Sequence, residues 1–290
     1  MSDSVTQAVR IPQIPYRAFA WYSILLAISF GSVLSALAYQ WQNDEDMGHG
    51  FFVPVIACFI AWERRAEWLK AGTPNRWGLL LCLWGALQLW AGVLMAELFL
   101  QRTSLLVTLA GLILFFGGTR ALRILAFPLL LLLFMIPIPG IIYKQITFPL
   151  QLISTRLAEW MLDAAGIMVV REGNILELAG QQLSVVEACS GLRALHSLVF
   201  FSLTYAYFFD NRAWVKWLLL ALVVPVTVTA NAGRIVTTGL LGQYDRELAM
   251  GIYHTISGWM LFVVSILMLV AARYVAVWIT GVAGKVWARA

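Results

Sequence analysis

Charged side chains are scarce in this chain of 290 residues. They make up 12% of it, whereas hydrophobic residues make up 61%. A soluble domain usually has about 25% charged and about 45–50% apolar residues. Because apolar runs about as long as a membrane-spanning helix recur from end to end, we predict an all-α polytopic membrane protein. We expect the lipid bilayer as a partner and no nucleic acid, because the net charge of +5 is distributed as orientation across a bilayer requires.

Cysteine and histidine are also rare, with three residues of each. Three cysteines do not build a disulfide framework. Cys58 and Cys82 lie inside apolar runs, where a cysteine usually acts as a small hydrophobic residue. Three histidines without an H-E-x-x-H motif argue against a zinc protease. We therefore expect no metal and no cofactor, and only Cys189 has a polar setting.

We expect no cleavable signal peptide, no repeat of fixed period and no linker between soluble domains. The simplest prediction is one integral membrane domain, residues 1–290. We divide it into an N-terminal five-helix part at 18–139, an extracytoplasmic segment at 140–190 and a C-terminal three-helix catalytic part at 191–290.

Apolar runs predict about eight crossings, at approximately 18–38, 51–62, 77–95, 104–117, 122–139, 191–209, 214–232 and 252–272. With these crossings, one side of the membrane has 13 basic and 4 acidic residues, and the other has 7 basic and 11 acidic residues. The positive-inside rule places the first side in the cytoplasm, together with both termini.

The outer segment 140–190 has two parts. Residues 143–165 repeat apolar positions every three or four residues, which predicts an amphipathic helix at the outer interface or packed on the bundle. Residues 168–187 alternate like strands, with a turn at 179–182. We predict a short β-hairpin or a structured loop that leads the chain to Cys189.

Reactive side chains lie at the ends of three crossings on the predicted outer side. Cys189 opens the sixth crossing, where the helix dipole favours a thiolate, and Arg193 shares its helix face. Asn231 and Arg234 end the seventh crossing, and arginine offers a permanent charge and a donor fork. His254 opens the eighth crossing, and histidine exchanges protons near neutral pH. A nucleophile, a fixed cation and a base at one surface suggest a cysteine-dependent enzyme.

Each of these positions also has a purely structural interpretation. A membrane cysteine is often inert, an arginine can extend to the lipid headgroups, and a histidine can contact water at the interface. His49 competes weakly with His254 as the base, because it lies in an acidic outer loop. His196 lies about 10 Å deeper than Cys189 along the same helix, so we interpret it as an internal hydrogen-bonding residue.

Three segments resemble the motifs of the exosortase/archaeosortase family: Ala-Cys-Ser-Gly-Leu-Arg at 188–193, Asn-Ala-Gly-Arg at 231–234, and His254 in His-Thr-Ile-Ser-Gly. Gly-His-Gly at 48–50 and Glu-Arg-Arg at 63–65 resemble the N-terminal half of that family. The resemblance covers residues 20–275 approximately. It implies a multi-pass cysteine transpeptidase of the bacterial inner membrane, analogous to sortase but with another fold.

By this resemblance, Cys189 would be the nucleophile, Arg234 the transition-state cation and His254 the proton carrier, with Arg193 and Asn231 in supporting roles. The partners implied are proteins with a C-terminal sorting signal: a Pro-Glu-Pro-like motif, a transmembrane helix and a basic tail. Cleavage would pass through a thioacyl intermediate on the periplasmic side. The sorting motif, the acceptor (water, or an amine on a glycan or lipid) and the oligomeric state stay open.

Two rival functions deserve comparison with this one. A rhomboid-like serine protease would need a Gly-x-Ser-x-Gly setting, which Ser190 lacks. A transporter or an assembly factor for exported polysaccharide would use outer polar residues to bind substrate, and four prolines would mark its broken helices: Pro128, Pro137, Pro139 and Pro225. Transporters usually place charges near mid-membrane, whereas the predicted crossings are almost free of them.

Overall fold

The computed structural model describes residues 16–70, 72–178, 181–184, 193–244 and 252–287. These residues are mainly helical. By its internal contacts the chain divides into two compact units, residues 1–138 and 139–290. Cys189 lies outside the described residues.

Five described helices are long and apolar enough to cross a membrane: Ala20–Asn43, Trp77–Leu94, Leu98–Ile124, Ala213–Tyr244 and Ile256–Thr280. The number rises to six if the helices at 126–135 and 140–164 together form one span. Two further apolar helices, Met47–Glu63 and Leu195–Phe209, are shorter than these five. The chain is therefore an all-α polytopic membrane protein, whereas the count of eight crossings stays a prediction.

The first unit is helical throughout its described residues. Its elements are α1 (Tyr16–Asn43), a 3-10 helix (Glu45–Phe51), α2 (Phe52–Glu63), α3 (Arg65–Leu69), α4 (Trp77–Leu94), α5 (Leu98–Ile124), α6 (Ala126–Leu132) and a second 3-10 helix (Leu133–Met135). A side-chain cap fixes the start of α5, since the Glu97 carboxylate accepts the backbone N–H of Leu100 at 2.6 Å.

Small residues allow α4 and α5 to pack closely. They recur every seven positions and are buried: Gly78, Gly85 and Gly92 on α4, and Ser104, Gly111 and Gly118 on α5. A β-carbon on Gly78 would lie only 2.6 Å from the Cα of Phe115, and one on Gly92 would lie 2.9 Å from the backbone nitrogen of Gln101. Contacts of this kind hold helices together in lipid, because small side chains let two backbones approach.

The second unit combines helices with a small sheet. Its elements are α7 (Gly140–Ala164), β1 (Val169–Glu172), β2 (Ile175–Leu178), β3 (Gln181–Ser184), α8 (Arg193–Phe209), α9 (Ala213–Tyr244) and α10 (Ile252–Trp287). The sheet is antiparallel in the order β1-β2-β3. It has three strands where we predicted a hairpin or a structured loop. A two-residue turn joins β1 to β2, and Gly173 supplies its positive φ of 64°.

Helix α7 packs on α9, which is one of the two alternatives predicted for the amphipathic helix. Ser154 Oγ donates to the carbonyl oxygen of Val228 at 3.4 Å. An apolar core then joins α7, the sheet and α9: Ala158, Leu162, Leu176, Leu178, Leu183, Ala232 and Ile235. An ion pair between Arg171 of β1 and Glu159 of α7, at 2.6 Å, ties the edge of the sheet to the helix. The sheet is therefore fixed against the C-terminal half of α9.

Helices α8, α9 and α10 form the rest of the unit. Leu198 packs with Val223, Val226 and Leu269, and Ala206 packs with Val215 and Leu219, so α8 and α9 run antiparallel. At the turn between them, buried Asp210 accepts hydrogen bonds from Arg273 of α10 and from the backbone N–H of Arg212. Burial alone would raise the pKa of the Asp210 carboxyl, but these hydrogen bonds and the two guanidinium charges lower it below its ordinary value.

Candidate functional site

Asn231 and Arg234 lie inside α9 and not at its end, so the helix continues past residue 232, where we predicted the end of the seventh crossing. The place where that crossing leaves the membrane stays a prediction. The helix continues to Tyr244, about 15 Å beyond Arg234 at 1.5 Å per residue. The extra turns are stabilised by the sheet, because Ile235 is fully buried in the shared core and Gly239 lies beside Leu178. Polar residues therefore interrupt the helix surface without ending the helix.

Arg234 is a buried cation. Its side chain is 4% exposed, and its Nε donates a hydrogen bond of 3.0 Å to Ser257 Oγ of α10. Ser257 is itself 5% exposed. A buried charge is tolerated only when hydrogen bonds replace its lost hydration. The hydroxyl of Ser257 thus fixes the guanidinium at a defined place between α9 and α10.

Asn231 is a buried amide on the same face of α9. It precedes Arg234 by three residues, which brings the two side chains to neighbouring positions on the helix. It is fully buried, and neither its Oδ1 nor its Nδ2 has a hydrogen-bond partner among the described residues. Leaving such a group unpaired costs about 1–3 kcal/mol. Buried polar groups without partners are rare in native proteins, so this amide is a candidate for binding a ligand.

His254 belongs to α10, the helix that also carries Ser257. Three residues separate the two positions, a rise of about 4.5 Å along the helix. The backbone of His254 therefore lies within about one turn of the residue that holds Arg234. The side chain of His254 is outside the described part of the structure.

The start of α8 is level with Asn231. Leu198 of α8 packs against Val226 of α9, and the helices run antiparallel. Five residues back from Leu198 is Arg193, and five residues forward from Val226 is Asn231. The backbone of Arg193, the first residue of α8, is thus at about the level of Asn231 along α9; its side chain is outside the described residues.

The position of the Cys189 sulfur is not described, but the chain on both sides of it is. Before it, Leu183 of β3 belongs to the core that contains Ala232 and Ile235. After it, α8 begins at Arg193. Residues 185–192 therefore connect a strand that packs on α9 near Asn231 and Arg234 to a helix that begins at about the same level along α9.

The other two histidines have structural surroundings. His49 Nε2 lies 3.1 Å from the carbonyl oxygen of Phe134, and nearby Trp41 Nε1 donates to the carbonyl oxygen of Met135 at 2.9 Å. These bonds join α1 and the two 3-10 helices within the first unit. His196 is half-buried in α8. Within the described residues, no group of three or more His, Cys, Asp or Glu side chains is placed to hold a metal ion.

Comparison with protein families identifies the chain. The sequence model of transmembrane exosortases matches residues 41–271. This protein belongs to the transmembrane exosortase family. The match confirms the resemblance found in the motifs around Cys189, Asn231–Arg234 and His254, all of which lie inside the matched range. Comparisons with curated proteins and with solved structures gave no match.

The second unit of this exosortase thus contains a guanidinium and a carboxamide that are both removed from water. A positive charge in such a place interacts with a developing negative charge far more strongly than it would in water. The pair suits a reaction in which an oxyanion forms next to a peptide group. Sequence reasoning quoted Ser257 only as part of the segment His-Thr-Ile-Ser-Gly and gave it no role, because its spacing of three from His254 does not show that it contacts Arg234.

Proposed function

We propose that this exosortase is a cysteine-dependent transpeptidase that cleaves the C-terminal sorting signal of exported membrane-anchored proteins. The signal consists of a Pro-Glu-Pro-like motif, a transmembrane helix and a basic tail. Membership of the family supports the general class of enzyme. The observation that carries the chemistry is the buried Arg234, held by Ser257 beside the Asn231 amide.

The first half of the reaction forms a thioester. The Cys189 thiolate attacks the carbonyl carbon of the scissile peptide, and the carbonyl oxygen becomes an oxyanion. Arg234 stabilises this oxyanion, an effect typically worth about 3–4 kcal/mol for one good donor in a water-poor site. The C–N bond then breaks while His254 gives a proton to the leaving amine, which departs with the transmembrane tail.

The second half transfers the protein to an acceptor. An amine on a glycan or lipid, or water, attacks the thioester carbonyl while His254 takes a proton from it. The C–S bond breaks, and the Cys189 thiolate returns. The same guanidinium stabilises the oxyanion in both halves, because both pass through a tetrahedral intermediate at the same carbon.

Asn231 binds the substrate backbone in this proposal. A carboxamide has two N–H donors and an acceptor oxygen, so it can hydrogen-bond the C=O and N–H of a neighbouring peptide group. Binding would supply the partners that this buried side chain lacks among the described residues. We expect Asn231 to orient the sorting motif, while Arg234 stabilises charge.

The membrane orientation follows from the basic clusters. The positive-inside rule places both termini in the cytoplasm of a bacterial cell and the active site on the periplasmic side of the inner membrane. A substrate with a cytoplasmic basic tail then presents its sorting motif at that outer surface. Cleavage there releases the exported part from its membrane anchor.

A pair of cysteine variants tests the nucleophile. Cys189→Ala, produced at the parent level with a tailed substrate, should leave the substrate at full length, because the thiol proposed to form the thioester is removed. Cys58→Ala is the matched control, since Cys58 is an exposed free thiol on α2; it should cleave like the parent. Immunoblots of substrate length give the readout. Parent-level cleavage by Cys189→Ala would show that Cys189 is not the nucleophile.

A further inference from the structure

Arg102 is a buried arginine in the first unit that the proposed chemistry does not use. It lies near the N-terminal end of α5, and its side chain is 6% exposed. Among the residues that the structure describes, it makes no hydrogen bond and no ion pair. A charged residue within a membrane-crossing helix is costly, and such residues usually bind a partner or a ligand.

The acidic groups near Arg102 are engaged elsewhere. The charge of Glu97 acts on Arg102, but its carboxylate caps α5 by accepting the N–H of Leu100. The Asp44 carboxylate accepts a hydrogen bond of 3.3 Å from Gln40 Nε2 and forms no ion pair with Arg102. Among the side chains that the structure describes, no carboxylate is therefore bound to the donor fork of the guanidinium.

Arg102 lines a shallow cavity of about 770 Å³ that is open along much of its surface. One face of α1 supplies most of the wall: Ser35, Ala36, Tyr39, Gln40 and Asn43, together with Asp44 just beyond its end. From α5 come Leu98 and Arg102, which share a helix face. The same two helices touch at their other ends, where the rings of Tyr22 and Phe116 are 4.8 Å apart.

The wall of this cavity fits an amphiphile with an anionic head. An arginine fork matches the oxygens of a phosphate group, and the nearby amides of Gln40 and Asn43 add hydrogen-bonding groups. Apolar side chains beside the cavity are exposed, among them Leu34 and Leu98. Both helices are candidate membrane spans, and the cavity lies toward the C-terminal end of α1 and the N-terminal end of α5.

We propose that this cavity binds the phosphate group of a membrane phospholipid, with Arg102 as its principal contact and the acyl chains along the exposed apolar sides of α1 and α5. The site is independent of Cys189, Arg234 and His254. It gives a role to a buried cation that has no ion-pair partner among the described residues.

Lipid binding to the purified, delipidated full-length protein tests the site. The two probes are phosphatidylglycerol and diacylglycerol. They have the same acyl chains, but diacylglycerol lacks the phosphate group. Native mass spectrometry should show one tightly bound phosphatidylglycerol, held at least tenfold more tightly than diacylglycerol. Arg102→Gln should remove this preference, and Arg102→Lys should retain part of it, because lysine keeps the charge but not the fork. Equal binding of the two lipids by the parent protein would overturn the proposal, even if the variants fail to fold.

Two controls separate the alternatives. Arg120 lies on the same helix but is exposed and outside the cavity, so Arg120→Gln should keep the tenfold preference. If Arg120→Gln loses it equally, the preference reflects overall charge, and the site is wrong. Inorganic phosphate should compete only weakly. If it displaces phosphatidylglycerol at equal concentration, the cavity takes free phosphate, and its assignment to a lipid is overturned.

Discussion

At the scale of single residues, the proposed chemistry depends on how a cation is held away from water. Sequence motifs were enough to select Asn231, Arg234 and His254, because few other polar residues interrupt the apolar runs. They did not predict the bond from Arg234 to Ser257. Serine and threonine hydroxyls are common in membrane helices. Only the packing of α9 against α10 shows which hydroxyl accepts the hydrogen bond from the Arg234 guanidinium.

Ser257→Ala tests this positioning bond. Losing a hydrogen bond to a charged group should let the guanidinium move, so we expect kcat to fall about tenfold, or about 1.4 kcal/mol, with KM nearly unchanged. Ser257→Thr keeps the hydroxyl and should recover most of the activity. Steady-state cleavage of a tailed substrate gives both constants. An unchanged kcat in Ser257→Ala would show that the bond does not matter for the reaction.

Asp210 gives a prediction of pH dependence. Its pKa is lower in the folded protein than in the unfolded chain, so its contribution to stability is complete above the unfolded pKa and is lost as pH falls from about 4 toward the folded pKa. Asp210→Asn should therefore lower the thermal midpoint at pH 7, and its deficit relative to the parent should narrow below about pH 4. A deficit that stays constant from pH 7 to pH 3 would contradict the ion pair with Arg273.

At the scale of elements, the sequence predicted which helices exist better than it predicted where they begin and end. A helix occurs near each predicted crossing, but α9 extends far past the predicted residue 232, because the sheet covers turns that seemed to leave the membrane. The strand β1 was missed as a separate element, although Gly173 followed by Asn174 is a two-residue hairpin signal. These boundaries depend on tertiary contacts, which cannot be read from local sequence patterns.

The close contact of α4 and α5 gives an element-scale prediction. In Gly78→Ala the new methyl group would overlap the backbone of Phe115, so the helices must separate, and we expect a fall of several degrees in thermal midpoint. Gly31→Ala is the matched control, because a β-carbon there meets nothing within 4 Å. It should be neutral or slightly stabilising, as expected for a helical glycine replaced by alanine. Equal midpoints for the two variants would refute the close packing.

At the scale of the whole molecule, composition already determined the class, since so few charges are compatible with a polytopic helical protein and little else. The family match agrees with the motifs over residues 41–271. Sequence could not give the pairing of helices, because residues such as Arg234 and Ser257 are brought together across separate segments. The central claim is that these segments serve one attacking sulfur.

The most direct measurement of that claim is the mass of a covalent intermediate. The parent protein is mixed with a tailed substrate, quenched in acid and digested, and the peptide carrying the acyl group is sequenced by mass spectrometry. We predict a hydroxylamine-sensitive thioester on Cys189, still present in Cys58→Ala and absent in Cys189→Ala. An acyl group on another residue, such as Ser190, would contradict the account, as would cleavage by Cys189→Ala.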